Sequence, residues 1–162
     1  DEILEKGCVP IVLVAHSMGT SIAVRLAVKN PQISRLVLIS PCIGPITWLD
    51  HLFNAKQLQE LERSGSTIRK GIEINRSFLM ALQDDMSSLL GKLKIPVTIV
   101  HGAADEFYSR ASCEALIALI KDGSLTVIPG ADHNFLNNGS RAKLLATLED
   151  HISTFERLSE QS

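Results

Sequence analysis

Short runs of consecutive apolar residues alternate along this chain with longer segments whose apolar residues recur at helical spacing. Four of the apolar runs are rich in β-branched side chains and predict buried strands, at 11–14, 36–39, 95–100 and 125–128. Helical spacing predicts amphipathic helices after three of these strands, at 20–29, 109–121 and 140–156. Continuous apolar strands joined by helices are typical of a parallel sheet that is covered on both faces, so the pattern predicts an α/β fold.

The alternation is interrupted between residues 42 and 93. In this segment the spacing predicts one or two helices over 48–63, a break at 64–66 and a further helical stretch over 72–90. His51 and the pair Asp84 and Asp85 are expected to be solvated side chains of this segment. Before the first strand, residues 1–6 followed by Gly7 predict the last turns of a helix with a glycine stop.

Composition and charge narrow the function by exclusion. The chain has 162 residues, of which 45% are hydrophobic and 21% charged, as expected of a single globular domain. A formal net charge of −2 gives no electrostatic basis for binding nucleic acid or an anionic membrane surface. The longest apolar runs are too short to cross a bilayer, so no membrane span is expected.

The three cysteines argue against a disulfide scaffold and against a structural zinc site. They are an odd number, Cys8, Cys42 and Cys113, and no two of them have the spacing of a metal-binding pair. Each is expected to be a small buried hydrophobe. This cysteine usage favours a reducing compartment, and we expect a cytoplasmic protein.

The turn between the first strand and the first helix has the residues of a nucleophile elbow. It reads Ala15, His16, Ser17, Met18 and Gly19, close to the pattern Gly-x-Ser-x-Gly. Such a turn lifts the serine hydroxyl above the sheet, and it needs small residues two positions before and two after the serine. Ala15 adds one methyl group to that pattern. An ordinary turn, in which Ser17 caps the helix, is the alternative.

Two later segments extend this motif into a family resemblance. IPVTIVHGAADEF carries the third predicted strand, and VIPGADHNF follows the fourth. With the elbow, these segments resemble the C-terminal part of the α/β-hydrolase superfamily, in particular carboxylesterases, serine-aminopeptidase-like hydrolases and monoacylglycerol lipases. The resemblance implies a partial α/β-hydrolase fold over 1–162, with a mostly parallel sheet, flanking helices and a helical cap insertion at approximately 42–93.

The resemblance also implies a catalytic triad. Ser17 matches the nucleophile, Asp105 the acid that orients the histidine, and His133 the general base, each just after its own predicted strand. Glu106 competes with Asp105 but lies one residue past the matching position. His101 is expected to hold the turn after the third strand, and Asp132 to be structural.

Further binding residues follow from the same resemblance. The backbone N–H of Met18 is expected to stabilise the oxyanion, and His16 and Trp48 to contact substrate, although packing of the cap is the alternative for Trp48. The family's second oxyanion donor lies before its elbow, in a loop that this chain lacks. We therefore expect either a fragment of a longer enzyme, or a chain whose sheet is completed by a homo-oligomer or by a missing N-terminal segment.

These residues predict a serine hydrolase that cleaves carboxylic esters through an acyl-enzyme, with no metal or organic cofactor. The same triad serves acyl transfer and the hydrolysis of amides or thioesters, so these reactions remain alternatives. A non-catalytic α/β-hydrolase-like module that binds a small molecule or a partner is a third possibility, which the absent oxyanion loop favours and the complete triad opposes.

Overall fold

The computed structural model describes residues 11–44, 53–83, 86–137 and 139–159. The expectations for residues 1–10, Trp48, His51, Asp84 and Asp85 lie outside these ranges. The described residues form two compact units. The first runs to Cys42 and resumes at Ser87, and the second spans Ile43–Met86.

Six strands and six helices make up the described chain. The strands are β1 (Ile11–His16), β2 (Ile33–Ile39), β3 (Ser66–Arg69), β4 (Ile72–Asn75), β5 (Val97–Gly102) and β6 (Gly123–Ile128). The helices are α1 (Gly19–Lys29), α2 (Ala55–Ser64), α3 (Arg76–Gln83), α4 (Ser87–Leu90), α5 (Arg110–Ile117) and α6 (Ser140–Ser159).

The first unit is built on a four-stranded parallel sheet in the order β1-β2-β5-β6. One line of paired residues crosses it from Ala15 through Leu38 and Ile99 to Leu125. The two central strands, β2 and β5, are apolar and covered on both faces, and Leu36, Val37 and Val100 are completely buried. The predicted α/β-hydrolase-type sheet with flanking helices is confirmed. All four strands end at the same edge, which therefore collects the loops that follow them.

Element boundaries differ from the predictions by a few residues. The structure starts β2 at Ile33, continues β5 through Gly102 and starts β6 at Gly123. Helix α5 ends at Ile117. Beyond it, the backbone N–H groups of Leu119 and Ile120 donate to carbonyl oxygens three residues back, at Leu116 and Ile117, instead of four.

The second unit combines a helix with an antiparallel hairpin. Helix α2 begins with a capping box between Asn54 and Gln57 and ends at Gly65 in the left-handed conformation. Strands β3 and β4 then pair through a two-residue turn, Lys70 and Gly71. The small core of this unit consists of Phe53, Leu61 and Leu79, with Leu58 and Ile74 packed against it.

The hairpin corrects the predicted helical stretch over 72–90 and adds two strands to the predicted helical insertion. Residues 72–75 are a strand, and helices start only at Arg76 and Ser87. The physical reason is the turn, since Lys70 and Gly71 have φ of 50° and 79°, which suits a tight hairpin and is incompatible with a helix. The unit lies within the predicted insertion at 42–93, whose role as a cap remains a prediction. Among the described residues, no helix combines the length and apolar character needed to cross a membrane.

Candidate active site

Ser17 lies directly after β1, in a backbone conformation that non-glycine residues rarely adopt. Its φ is 53°, a conformation that costs of order 1–3 kcal/mol and persists only where the surroundings impose it. Here the N–H of Ser17 donates to the carbonyl oxygen of Ile39 at 3.0 Å. Its own carbonyl oxygen accepts from the backbone N–H of Thr20 at 3.0 Å and from the Thr20 hydroxyl at 2.6 Å. The buried residue Thr20 thus stabilises the turn through two hydrogen bonds to the Ser17 carbonyl oxygen.

The Ser17 side chain does not cap α1, so the helix-capping alternative is wrong. The N-cap residue is Met18, which makes no side-chain capping hydrogen bond. The methyl group of Ala15 does not crowd Gly19. A Cβ placed on Gly19 would lie 3.9 Å from the Cβ of Ala15, an ordinary van der Waals contact.

Three of the predicted site residues come together at the carboxyl edge of the sheet. The Ser17 hydroxyl lies 2.9 Å from Nε2 of His133, and Nδ1 of His133 lies 2.9 Å from Oδ2 of Asp105. With the proton of the ring on Nδ1, Nε2 is an acceptor for the hydroxyl proton. The three side chains therefore form one continuous hydrogen-bonded line, although their residues are up to 116 positions apart.

Asp105 is held as a carboxylate. Its side chain is completely buried, and its Oδ1 accepts from the backbone N–H groups of Phe107 at 2.9 Å and Tyr108 at 3.1 Å. Burial by itself raises the pKa of this carboxyl, but the hydrogen bond from His133 and those two backbone bonds outweigh it. The net effect lowers the pKa of Asp105, so the group that faces His133 is charged.

Glu106 and His101 stand beside this line but not in it. Oε2 of Glu106 accepts a hydrogen bond from the backbone N–H of His133 at 3.3 Å, whereas the ring of His133 contacts Asp105. His101 is buried on β5, and its Nδ1 lies 3.8 Å from Oδ2 of Asp105, too far for a hydrogen bond. Burial lowers the pKa of His101, against an opposing effect of the Asp105 charge, so its ring is neutral.

The loop that carries His133 is tied by its own polar side chains. Asp132 accepts from the backbone N–H groups of Asn134 at 3.1 Å and Leu136 at 2.9 Å, which agrees with its predicted structural role. Asn137 donates to the carbonyl oxygen of Gly130 and accepts from the hydroxyl of Ser140 at 2.7 Å. This loop also places the Phe135 ring in the core of the first unit.

The other predicted binding residues have different outcomes. Met18 follows Ser17 at the start of α1, where its backbone N–H belongs to the first turn. His16 is exposed, and its Nε2 lies 2.9 Å from the carbonyl oxygen of His133. Trp48 lies outside the described residues. Within the parts of the chain that the structure describes, no group of three or more His, Cys, Asp or Glu side chains is arranged to hold a metal ion.

The sequence reasoning missed the contacts that hold the His133 main chain. The family resemblance implies substrate contact for His16, and the sequence offers Glu106 only as a competitor of Asp105. Each is a sequence neighbour of Ser17 or Asp105, and that adjacency is the only signal the sequence offers. The edge-to-face contact of Phe107 with the His133 ring, at 4.8 Å between centroids, had no signal in the pattern.

Comparison with known proteins gives the following similarities. A family model described as serine aminopeptidase, S33, matches residues 2–76, which include Ser17. The chain is 20% identical to the monoacylglycerol lipase of Paleococcus ferrophilus, with a TM-score of 0.70, over 94% of this chain and 72% of that one. Against Est1E from Butyrivibrio proteoclasticus the identity is 19% and the TM-score 0.68, over 96% and 66% of the two chains.

A third structure shows the same relationship over a smaller share. The esterase domain of a Rhodothermus marinus protein is 18% identical, with a TM-score of 0.64, over 85% of this chain and 58% of that one. The chain thus spans 58% to 72% of the length of these three structures. A comparison with curated proteins gives no match.

Proposed function

We propose that this chain, which shares the α/β-hydrolase fold of the similar structures, is a serine hydrolase that cleaves carboxylic esters through an acyl-enzyme. One observation above all supports the proposal. The Ser17 hydroxyl, the His133 ring and the Asp105 carboxylate are joined by two contacts of 2.9 Å each. Nucleophile, base and orienting acid within hydrogen-bond reach are the geometric requirement of this chemistry.

In the acylation step, His133 takes the proton of Ser17 as the oxygen attacks the ester carbonyl carbon. The resulting imidazolium is stabilised by Asp105, whose carboxylate also keeps the ring proton on Nδ1. His133 then returns the proton to the departing alkoxide, so that an alcohol leaves and an acyl-Ser17 ester remains. In deacylation, water attacks the acyl group and His133 repeats the same two proton transfers.

The negative oxygen of each tetrahedral intermediate needs backbone donors. The Met18 N–H, at the positive end of α1, is the proposed first donor. The second donor is proposed to come from a segment that precedes the elbow in the relatives, or from a second copy of the chain. Removing one such donor lowers the rate by roughly 10²- to 10³-fold, so both donors matter for the proposed activity.

The ester class is supported by what similar structures are called. They include a monoacylglycerol lipase and an esterase domain, and Est1E is described with ferulic acid bound. Amide hydrolysis has a separate basis, since the matching family model is described as a serine aminopeptidase. Esters are the proposed substrates ahead of amides because an alkoxide leaves more easily than an amine.

A substrate panel tests the proposal. It contains p-nitrophenyl acetate and butyrate, a monoacylglycerol, methyl ferulate and an aminoacyl p-nitroanilide. We expect hydrolysis of at least one ester, with kcat/KM reduced at least about 10³-fold in Ser17→Ala and unchanged in Ser153→Ala, an exposed serine of α6. Ester hydrolysis that survives Ser17→Ala would contradict the proposal, as would cleavage of the anilide alone.

A further inference from the structure

The main chain of His133 is held from both sides by neighbours of the other two triad residues. His16, which precedes Ser17, contacts the carbonyl oxygen of His133 at 2.9 Å. Glu106, which follows Asp105, accepts a hydrogen bond from the N–H of His133 at 3.3 Å. Ser17 and Asp105, which form hydrogen bonds with the ring of His133, thus each have a sequence neighbour that contacts its backbone.

The contact from His16 defines the proton position on its ring. A carbonyl oxygen only accepts hydrogen bonds, so Nε2 of His16 carries a proton and donates it. The ring itself lies beside that of His133, with 5.3 Å between centroids and 46° between the planes. Both features keep His16 against the general base, although its side chain is otherwise exposed.

The contact from Glu106 is with the backbone N–H of His133, whereas that from His16 is with its carbonyl oxygen. The N–H and the carbonyl group flank the Cα of His133, so fixing both leaves the direction of the Cα–Cβ bond little freedom. That bond aims the imidazole between Ser17 and Asp105. A hydrogen bond to a carboxylate is stronger than one to a neutral acceptor, which offsets the exposure of Glu106 to water.

We infer that His16 and Glu106 are positioning residues that set the orientation of His133 by gripping its main chain. The inference rests on the proposed role of His133 as the general base. A base that shifts by about 1 Å loses of order 10²-fold in rate, and one lost hydrogen bond permits part of that shift. Neither residue needs to contact substrate, so their loss affects the chemical step rather than substrate binding.

Paired substitutions separate the hydrogen bond from the bulk of each side chain. His16→Phe keeps a ring without the donor, whereas the amide nitrogen of His16→Gln reaches about as far as Nε2. Glu106→Leu removes the acceptor, whereas Glu106→Gln keeps an acceptor oxygen. With the best ester of the panel, we expect kcat to fall about tenfold in His16→Phe and in Glu106→Leu, with KM within about twofold.

Rescue by the conservative variants completes the kinetic test. His16→Gln and Glu106→Gln are expected to stay within about threefold of the unmodified kcat. His151→Gln on α6 and Glu114→Gln on α5 are matched controls away from this contact, and we expect no change in them. Equal losses in the Phe and Gln variants at position 16, or in the Leu and Gln variants at position 106, would overturn the inference.

A second measurement does not depend on turnover. In amide hydrogen exchange followed by NMR, the N–H of His133 is expected to exchange faster in Glu106→Leu and at the unmodified rate in Glu106→Gln. An unchanged rate in Glu106→Leu would overturn the inference even in a catalytically silent protein. A protein that shows the exchange pattern but no Ser17-dependent hydrolysis would instead refute the proposed function and leave the main-chain grip intact.

Discussion

Gly102 and Ala131 lie so close together that no side chain fits between them. A Cβ on Gly102 would overlap with the carbonyl group of Ala131 and lie 2.8 Å from the carbonyl oxygen of Asp132. The segment after Gly102 and the loop after β6 are also joined by a hydrogen bond of 2.8 Å from the N–H of Ala104 to the carbonyl oxygen of Ala131. The end of β5, which leads to Asp105, is therefore packed backbone to backbone against the loop that carries His133.

Gly102→Ala is expected to lower activity strongly without contacting substrate. The new methyl group must push the 131–132 backbone away, and His133 is the next residue. Overpacking of this kind costs about 1–3 kcal/mol of stability, and a 1 Å shift of the base costs roughly 100-fold in kcat. Steady-state kinetics and urea unfolding measure the two effects.

Gly19→Ala is the matched comparison for this change. Its added Cβ meets only an ordinary contact with Ala15, so we expect a stability change within about 1 kcal/mol. Wild-type kinetics in Gly102→Ala, or an equal stability loss in both variants, would show that the close approach does not hold the site together.

Asp105→Asn is expected to lower kcat by about 10³- to 10⁴-fold while the fold remains. The amide cannot stabilise the imidazolium, and it favours the wrong ring tautomer of His133. Kinetics with the best ester, compared with Asp122→Asn at an exposed position, measure the effect. A decrease in kcat of less than about tenfold would mean that Asp105 is not the acid that orients His133.

The same substitution has a defined effect on acid stability. Because the pKa of Asp105 is lowered in the folded protein, its charged form adds stability above the unfolded value near 3.9. This contribution disappears as the pH falls through the folded pKa. The difference in unfolding free energy between the unmodified protein and Asp105→Asn should shrink from pH 6 towards pH 3, as urea unfolding followed by circular dichroism will report. A difference that grows with acid would contradict the assignment.

His101 predicts a loss of stability at mildly acidic pH. Burial lowers its pKa in the folded protein, so below about pH 6.5 the unfolded chain binds a proton that the folded protein does not. The contribution of His101 to the free energy of unfolding therefore decreases as the pH falls from 7.5 to 5.5, by at most about 1.4 kcal/mol per pH unit. His101→Phe should abolish this part of the pH dependence in urea titrations. An identical slope in both proteins would mean that His101 is charged when folded.

The hairpin turn predicts opposite effects at its two central residues. Both have positive φ, which Gly71 adopts freely and Lys70 does not. No atom lies within 4 Å of a Cβ added to Gly71, so Gly71→Ala carries a conformational cost alone, of about 1 kcal/mol. Lys70→Asn should stabilise the turn by about 0.5 kcal/mol. Amide exchange at the paired residues Ile68 and Glu73 should accelerate in the first variant and slow in the second.

The sequence predicted those features that local pattern determines. Apolar runs located the four parallel strands, and the first polar segments after three of them located Ser17, Asp105 and His133. Long-range relationships carried no such pattern. Nothing about Gly102 indicated which backbone it meets, since the residues at 131 and 132 approach it only through the fold.

The missed hairpin has a different origin. A Lys-Gly pair flanked by β-branched residues is a hairpin pattern, and here the flanking residues are Thr67, Ile68, Ile72 and Ile74. However, Ile72 also fits the helical spacing of the residues after it. The left-handed turn at Lys70 and Gly71 favours the hairpin, and the packing of Ile74 against the small core of the second unit adds to it. The contacts of His16 and Glu106 with the His133 main chain could not be predicted either, since adjacency to Ser17 or Asp105 implies no particular hydrogen bond.

The most direct test of the proposed nucleophile is intact-mass detection of fluorophosphonate labelling. The reagent reacts with an activated serine whatever the natural substrate is, and circular dichroism recorded in parallel verifies that each protein is folded. We predict a single adduct that is absent from Ser17→Ala and strongly slowed in His133→Gln, with Ser153→Ala labelled as the unmodified chain. A folded chain that forms no adduct, or one that is still labelled after Ser17→Ala, would contradict the assignment of Ser17 as an activated nucleophile.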